Sequence, residues 1–435
     1  MSNAGFYIAG AVFIGLGLAL SIGLHELGHM VPAKRFGVKV PRFMIGFGPT
    51  VFSRKRGETE YGVKLIPLGG YVSLLGMAPP AEEYTDRPAP KNGLARAYLR
   101  YTERFRAASD LPADEQHRAF YRLTAGRKLI VMAGGPVANL ILGVVFSAIV
   151  LCGFGVMSPS NQISQVVACA PISAKPPVLD TSAGCGSAPQ TIAAAANLRA
   201  GDRIESIGTV AVANPDEVRA AMVSQLGQTA TFKVLRDGQH IAFTAKIENQ
   251  KVYNTQTQRL ETRPFFGAVF DYQRKPLGVT ELAVFSGKNI AGTFAMLVDL
   301  PQQALHAIGA IEGTEQRSNS GAVSVVGIAK VAGDLAIENQ GDWIGIISMW
   351  LLTLASLNFA LFAFNMIPVL PLDGGHILAA LFGKAKAVWF KVRGRGTPRP
   401  VDLTLLAPLT MVGWGILTLM GLLFVVADIV APMHL

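Results

Sequence analysis

The chain has 435 residues, of which half are hydrophobic and 16% are charged. Its mean hydropathy is +0.37, so the amount of apolar surface far exceeds what an ordinary soluble domain buries. This composition argues against a simple water-soluble protein and indicates a membrane protein. The formal net charge of +10 would also suit a nucleic-acid-binding protein, which is an alternative to be weighed against the position of the charges.

Four long stretches of the chain contain no Asp, Glu, Lys or Arg: residues 4–24, 129–157, 343–372 and 403–426. At about 20 residues per span, each stretch is long enough to cross a bilayer as a helix. Backbone groups in hydrocarbon must satisfy their own hydrogen bonds, and these stretches show no strand alternation. We therefore predict four transmembrane helices. A removable signal peptide is the alternative for the first stretch, but a basic leading region is absent there.

The distribution of charge predicts how these spans are oriented. Residues 34–128 carry 18 Lys and Arg against 9 Asp and Glu, residues 384–399 carry 6 against none, and residues 157–340 carry 15 against 15. An excess of Lys and Arg beside a span marks the cytoplasmic side. We therefore expect both termini to be extracytoplasmic and no nucleic-acid partner. DNA binding by the basic loop, through Arg100, Arg104 and Arg106, is the alternative.

The segments between the spans differ in character. Short β-favouring runs broken by Gly and Pro after the first span predict a hairpin-rich sheet. The outer segment from residue 192 onward reads as short strands around one helix, with a turn at Asp237 and Gly238. This order, with the run Leu-Arg-Ala-Gly-Asp at residues 198–202, resembles a bacterial protease-associated PDZ domain. A small mixed domain without a ligand is the alternative.

The predicted fold is a polytopic α-helical membrane protein with four transmembrane helices, a membrane-associated β-hairpin region and one extracytoplasmic mixed α/β PDZ domain. The expected segments are 1–36 (first span), 37–77 (β-hairpin region), 78–127 (cytoplasmic loop with short amphipathic helices), 128–157 (second span), 158–191 (linker), 192–270 (PDZ domain), 271–340 (extracytoplasmic amphipathic helices), 341–372 (third span), 373–401 (cytoplasmic loop) and 402–430 (fourth span). Cys169 and Cys185 both fall in the outer segment, where an oxidising compartment would permit a disulfide but does not require one.

The strongest chemical signal is the run His25-Glu26-Leu27-Gly28-His29 at the end of the first span. Helix residues four apart share a face, so His25 and His29 can present both imidazoles to one metal ion. Glu26 would then stand beside the open coordination position as a general base. Ionisable groups in an apolar span are costly and indicate function, although a polar cap on the helix end is the alternative.

A catalytic zinc usually has three protein ligands, so two histidines leave one ligand to be found. The first and third spans run in the same direction, and the third ends in Leu372-Asp373-Gly374. This topology brings Asp373 to the same side of the membrane as His29. Asp373 is therefore a candidate third ligand, and His376 competes with it.

Three motifs together resemble the site-2 protease family: the His-Glu-Leu-Gly-His run, Gly-Gly-Pro-Val-Ala-Asn at residues 134–139, and Asn-Met-Ile-Pro-Val-Leu-Pro-Leu-Asp-Gly at residues 365–374. Four spans around one outer PDZ domain are similar to RseP-type bacterial members, and most similar to single-PDZ actinobacterial ones. The resemblance implies a zinc metalloendopeptidase of the plasma membrane with its site near the cytoplasmic side. It also implies substrates that are single-pass membrane proteins in the lipid bilayer, such as anti-sigma factors trimmed on the outer side, with remnant signal peptides as a further class.

The family resemblance also implies roles for individual residues. It favours Asp373 over His376 as the zinc ligand, and it implies that Asn365 helps to hold an unwound substrate. The hairpin segment would engage substrate as an added strand. The expected substrate-binding residues are Asn365, Asn139, Pro368, Gly69 and Gly70. Either asparagine could instead simply bond a neighbouring helix. RseP-type members often carry two PDZ domains, whereas this chain has room for one.

Two other classes of membrane protein are disfavoured by the same motifs. A transporter would be expected to show inverted repeats or paired broken helices, and neither is evident. A scaffold that recruits partners through its PDZ domain would not need Glu26. The ligand types and the family resemblance make Zn²⁺ the expected cofactor, and other divalent ions that could occupy a site of two His and one Asp are the alternative. Glu26 is the expected catalytic residue.

Overall fold

The computed structural model describes residues 3–77, 79, 111–172, 185–186, 188–254, 257–315, 323–339, 341–396, 401 and 407–432. The chain forms two compact units, one of Met1–Gly153 with Gly278–Leu435, and one of Phe154–Leu277. Within the loop of residues 78–127, for which short helices are predicted, the described part contains two 3₁₀ helices, Ala113–Arg118 and Phe120–Arg122. Residues 80–110 of this loop, with the alternative DNA contacts Arg100, Arg104 and Arg106, lie outside the described residues.

The described α-helices are, in chain order, α1 (Asn3–Arg35), α2 (Ala125–Ala148), α3 (Ile192–Ala195), α4 (Pro215–Ser224), α5 (Val279–Val298), α6 (Leu300–Ile311), α7 (Val325–Glu338), α8 (Trp343–Asn365), α9 (Asp373–Val392) and α10 (Ala407–Val430). The described strands are β1 (Arg42–Arg56), β2 (Thr59–Ser73), β3 (Val156–Val166), β4 (Arg203–Ile207), β5 (Val210–Ala211), β6 (Thr229–Arg236), β7 (Gln239–Lys246), β8 (Asn249–Asn254), β9 (Arg259–Pro264) and β10 (Ala268–Lys275).

Four helices of the first unit are long and apolar enough to cross a membrane. Within the described residues they are Asn3–Arg35, Ala125–Phe154, Trp343–Asn365 and Leu409–Val430, where the second includes a π-helical turn that continues α2. They coincide with the four charge-free stretches, so the prediction of four apolar helices is confirmed.

The helices expected between residues 271 and 340 are present as α5 to α7, but the predicted start of this segment is wrong because strand β10 continues to Lys275. Helix α7 packs against α1 and α8, and the Trp350 indole donates a 2.9 Å hydrogen bond to the Ala332 carbonyl. The apolar core between these three helices contains Phe6, Ile14, Ala332, Ala336, Ile346, Trp350 and Leu354. Helix α7 is therefore an integral part of the helical unit.

Strands β1 and β2 form a small sheet beside α1. By register, Phe43 lies opposite both Tyr61 and Val72, so residues 42–45 run between residues 60–63 and residues 70–73. In the described part of the chain, residues 70–73 pair on one side only and form an edge. The hairpin-rich sheet expected over residues 37–77 is present, and its association with the membrane remains a prediction.

The prediction of a cytoplasmic loop over residues 373–401 is wrong for most of that range, because Asp373–Val392 forms helix α9. Helix α8 ends at Asn365, before Pro368 and Pro371 and short of the predicted end of the third span at residue 372. Gly375 allows the turn between α8 and α9 to pack closely against the start of α9, because a Cβ on Gly375 would lie 2.6 Å from the Leu370 nitrogen. Asp373 lies in the first turn of this helix and Lys391 in its last turn, where each charge interacts favourably with the helix dipole.

The second unit is built on an antiparallel sheet with the strand order β10-β3-β4-β6-β7, and β5 pairs with β4. Helix α4 covers it and begins at Asn214, whose side chain accepts a hydrogen bond from the Glu217 amide. The core contains Ile163, Ile192, Ala193, Leu198, Ile204, Ile207, Val212, Val218, Ala221, Met222, Ala230, Phe232, Val234, Ile247 and Phe266.

The prediction of a linker over residues 158–191 is wrong for the first part of that range, because Val156–Val166 is a strand in this sheet. Its partner β10 is distant in sequence, with Ile163 opposite Phe270, so local composition did not reveal the pairing. Cys169 and Cys185 form a disulfide, which resolves a pairing that the sequence left open. Short strands around one helix are present as expected, whereas the assignment as a PDZ domain remains a prediction.

Candidate active site

Helices α1 and α2 cross where two glycines face each other. A Cβ on Gly28 would overlap the Gly134 carbonyl group, and a Cβ on Gly134 would overlap the Gly28 carbonyl group. Small residues are what allow two helix backbones to approach this closely. The crossing therefore presses α2 directly onto the His-Glu-Leu-Gly-His segment of α1.

The two histidines of this segment and Asp373 come together although α9 is remote from α1 in sequence. His25 Nε2 lies 3.4 Å from Asp373 Oδ2, and His29 Nε2 lies 3.3 Å from the same oxygen. The two Nε2 atoms are 3.2 Å apart. One ligand atom from each residue lies within 4.8 Å of the other two, so the three side chains form a candidate metal centre.

Both imidazoles are held from behind by α2. His29 Nδ1 lies 2.8 Å from the Val131 carbonyl oxygen, which can only accept, so this nitrogen carries the proton. His25 Nδ1 lies 3.0 Å from the side-chain amide of the buried Asn139. A half-turn of that amide brings its oxygen to accept from a protonated Nδ1. In both rings the unprotonated Nε2 then points at Asp373.

This arrangement fits a zinc ion. Two Nε2 lone pairs and the buried Asp373 Oδ2, which accepts no hydrogen bond among the described residues, converge on one point. Converging lone pairs repel each other unless a cation lies between them, and two imidazoles with a carboxylate are typical zinc ligands. Gly135 keeps the adjacent space clear, since a Cβ there would lie 2.8 Å from His25 Nε2 and would clash with His29 Nε2.

Glu26 lies between the metal centre and the edge of the hairpin sheet. Its carboxylate accepts a hydrogen bond from the Val72 backbone amide and interacts electrostatically with both histidines and with Asp373. A Cβ on Gly70 would lie 3.1 Å from Glu26 Cγ, so the sheet edge approaches the glutamate closely. The side chain predicted to be the general base is thus held by the segment predicted to bind substrate.

The remaining predicted residues lie at varying distances from this cluster. His376 is outside the three-residue cluster, and its Nδ1 has no hydrogen-bond partner in the described chain. Gly69 has a φ of +103°, and a Cβ there would meet the Phe47 ring. Asn365 ends α8 half-buried and Pro368 is exposed, and among the described contacts none joins either of them to the cluster.

Gly135, Gly28 and the Val131 carbonyl were not predicted as parts of the site. The glycines were visible in the sequence, since Gly28 lies inside the metal-binding run and Gly134-Gly135 lies in an apolar stretch. Small residues in two apolar helices could have suggested a close crossing. A backbone carbonyl such as that of Val131 carries no sequence signal.

Comparison with known proteins identifies the family of the chain. Residues 13–402 match peptidase family M50. The chain is 31% identical to the zinc metalloprotease Rip1 of Mycobacterium tuberculosis over 442 residues, which cover 99% of each chain. It is 25% identical to the metalloprotease MmpA of Caulobacter vibrioides over 380 residues, 83% of each chain. It is also 30% identical to the protease RseP of Yersinia pestis over 218 residues, 50% of this chain and 37% of the relative.

A match over most of the chain, together with relatives aligned along its full length, establishes the family. The chain belongs to peptidase family M50, the site-2 protease family, and is a zinc metalloprotease with Zn²⁺ as its cofactor.

Proposed function

We propose that this protease hydrolyses peptide bonds within or near the transmembrane segments of single-pass membrane proteins. His25, His29 and Asp373 hold the zinc, and Glu26 is the general base. The observation that carries the proposal is the convergence of three ligand atoms, within 4.8 Å, at the end of a helix apolar enough to span a membrane. Ionisable groups at such a place are expensive and indicate function.

In the proposed mechanism the protein side chains position the reactants and move the proton. A zinc ion held at this centre supplies Lewis-acid polarisation of the scissile carbonyl and makes water more acidic. Glu26 takes a proton from the attacking water and returns it to the leaving amine. The Val72 amide holds the Glu26 carboxylate in place, and the Val131 carbonyl fixes the His29 tautomer.

The substrate must unwind before it can be cut, because the carbonyl groups of a helix are bonded within the helix. The sheet edge at residues 70–73 offers backbone groups that an extended segment can pair with, and it approaches Glu26 at Gly70. We propose that Gly69 and Gly70 keep this edge accessible and that Asn365 and Pro368 contact the unwound segment. Asn139 contacts His25, so its primary role is to position that ring.

The finer features of the function follow from the family resemblance and the distribution of charge. We propose that the second unit is a PDZ domain that filters or reads substrates on the extracytoplasmic side. Both termini lie on that side, and the zinc centre lies near the cytoplasmic face of the plasma membrane. The substrates are anti-sigma factor-type proteins after an outer cut, and remnant signal peptides.

The test is cleavage of a single-pass substrate by the purified full-length chain, with bound zinc measured on the same samples. Glu26→Gln should retain zinc and lose activity by about 10²–10⁴-fold, the range attributed to a positioned general base. Asp373→Asn should lose both zinc and activity. His376→Asn is the matched control and should retain both.

Two results would count against the proposal. If Glu26→Gln cleaves as fast as the wild type, the base lies elsewhere. If His376→Asn loses zinc while Asp373→Asn keeps it, the assignment of the third ligand is reversed.

A further inference from the structure

A cavity lies beside the metal-binding segment of α1, on the side of the hairpin turn. It has a volume of about 940 Å³ and is lined by Leu27, Met30, Lys34, Arg54, Lys55, Arg56, Gly57 and Tyr61. This is within the range of about 300–1,000 Å³ that is typical of small-molecule sites. Its floor is apolar, its rim carries four basic side chains, and none of these residues belongs to the proposed catalytic machinery.

Among the described residues, basic side chains outnumber acidic ones around the rim. Glu58 accepts a 2.7 Å hydrogen bond from Arg118 and also interacts electrostatically with Lys34, and Glu60 lies 3.8 Å from Arg42. The Arg118 hydrogen bond lowers the pKa of Glu58 and keeps it ionised. Among the described residues, none of the three consecutive basic residues at 54–56 forms an ion pair. The described lining of the cavity therefore carries an excess of positive charge.

Lys34 is held so that its charge faces the cavity. Its ammonium group donates a 3.0 Å hydrogen bond to the Tyr61 hydroxyl and lies 5.4 Å from the centre of the Tyr61 ring. Leu27 and Met30, on the same helix, form the apolar floor. A ligand that fits this site carries negative charge at one end and hydrocarbon at the other.

The exposed side chains of the hairpin indicate that the hydrocarbon end of the ligand lies in the bilayer core. It runs alongside α1, with Ile45 against Gly23 and Tyr61 against Lys34. At and beyond the level of Ile45, the hairpin exposes six large apolar side chains: Phe47, Val51, Phe52, Val63, Leu65 and Ile66. At the level of Lys34 it exposes the basic residues 54–56. An apolar end and a basic end, stacked along one candidate span, match the order from bilayer core to anionic headgroup.

We infer that the cavity between α1 and the hairpin turn is a binding site for the headgroup of an anionic phospholipid. The phosphate lies among Lys34 and residues 54–56, and an acyl chain runs over Leu27 and Met30 toward the apolar face of the hairpin. This inference rests on the proposed insertion of α1 in a membrane. An acidic segment of a substrate would share the charge but would not require the apolar floor, so the lipid is favoured.

The site gives the lipid a position next to the catalytic helix. Leu27 follows Glu26 directly, and Tyr61 lies in the strand next to residues 42–45, which in turn pair with the edge at residues 70–73. A headgroup bound there ties α1 to the hairpin. Anionic lipid would therefore hold together the two elements that carry the base and the proposed substrate-binding edge.

The test measures lipid retention by the purified full-length protein in neutral detergent, using native mass spectrometry with dioleoylphosphatidylglycerol and dioleoylphosphatidylcholine as the two probes. The wild type should retain phosphatidylglycerol preferentially. In the triple variant Arg54→Gln, Lys55→Gln, Arg56→Gln, the ratio of retained phosphatidylglycerol to retained phosphatidylcholine should fall at least about tenfold. Each basic group near anionic lipid contributes roughly fivefold to binding. The matched control Lys391→Gln, Arg393→Gln, Arg395→Gln removes the same charge from the end of α9 and should keep the preference.

Bound zinc and the thermal unfolding midpoint of each variant show whether it is folded, and Lys34→Met is a second, single-site variant that should also weaken retention. Equal loss in both triple variants would mean general surface attraction and would overturn the proposal. Absence of a phosphatidylglycerol preference, with slower cleavage of an acidic-tailed substrate by the first triple variant alone, would identify an acidic peptide as the occupant and would also overturn it. Lipid retention is measured without cleavage, so its outcome does not depend on the proposed substrates. Extraction of the protein from membranes by alkaline carbonate would separately reveal a failure of the proposed insertion.

Discussion

The two units each contain a carboxylate beside nitrogen-bearing side chains, the buried Asp202 in the second unit and the half-buried Asp373 in the first, but they use it differently. In the second unit, Asp202 accepts hydrogen bonds from Arg236 Nε at 2.8 Å, from Arg236 Nη2 at 2.7 Å and from the Arg199 amide at 2.8 Å. In the first unit, Asp373 Oδ2 faces two histidine nitrogens without a hydrogen bond among the described residues. A fully bonded buried carboxylate stabilises a fold, whereas an incompletely bonded one indicates a ligand site.

The first test of this comparison fills the space beside the histidines. Gly135→Ala should abolish zinc binding and reduce cleavage by about 10³-fold or more, because the new methyl group would clash with His29 Nε2 and approach His25 Nε2 to 2.8 Å. Metal content and cleavage are the measurements. Gly126→Ala, in the first turn of the same helix with open space around it, is the control and should resemble the wild type. Normal zinc content in Gly135→Ala would show that the metal lies elsewhere.

The second change removes the bonded carboxylate of the other unit. Asp202→Asn should lower the free energy of unfolding of the second unit by about 3 kcal/mol, because it breaks an ion pair whose acid is buried. Hydrogen–deuterium exchange of the full-length protein would show faster exchange in strands β4 and β6. Zinc content should not change.

The control for Asp202 is Glu205→Gln in strand β4, which begins one residue after Asp202, since Glu205 bonds the exposed His240. A surface pair of this kind contributes about 0–1 kcal/mol, so exchange should barely change. An equal effect from both substitutions would mean that burial of the carboxylate does not matter.

The third change tests whether Asn139 positions His25. Asn139→Leu should weaken zinc affinity by about 10–100-fold, the usual effect of losing a group that supports a metal ligand. Asn139→Asp should restore affinity, because a carboxylate also accepts from Nδ1. Zinc affinity from competition with a chelator is the measurement, and similar affinity of both variants would assign Asn139 a purely structural role.

The smallest expected effect is the response of the second unit to acid. Burial raises the pKa of Asp202, but hydrogen bonds from Arg236 and from the Arg199 amide outweigh it, so the net pKa lies below the usual value. The stabilisation is present above the unfolded-state pKa of about 3.9 and is lost as pH falls through the lower folded-state pKa. Exchange measured across this acidic range should accelerate in the wild type more than in Asp202→Asn, and parallel curves would contradict this assignment.

The sequence predicted the parts of the molecule that depend on local spacing or on chain direction. His25 and His29 are related by helix periodicity, and Asp373 was reached from the parallel direction of two apolar stretches. Features that depend on distant contacts were missed. Strand β3 needs β10 as its partner, and the role of Gly135 depends on which helix crosses α1. Helix α9 was missed because Gly374 and Gly375, which usually interrupt helices, lie in its first turn.

The distance in sequence between the proposed zinc ligands also has a consequence for synthesis. His25 and His29 leave the ribosome early, whereas Asp373 follows only after the whole second unit has been made. A nascent chain therefore holds an incomplete set of the proposed ligands until the whole second unit has been translated. The proposed metal centre can form only once residue 373 has been added, so metal binding joins the two ends of the first unit across the inserted second unit.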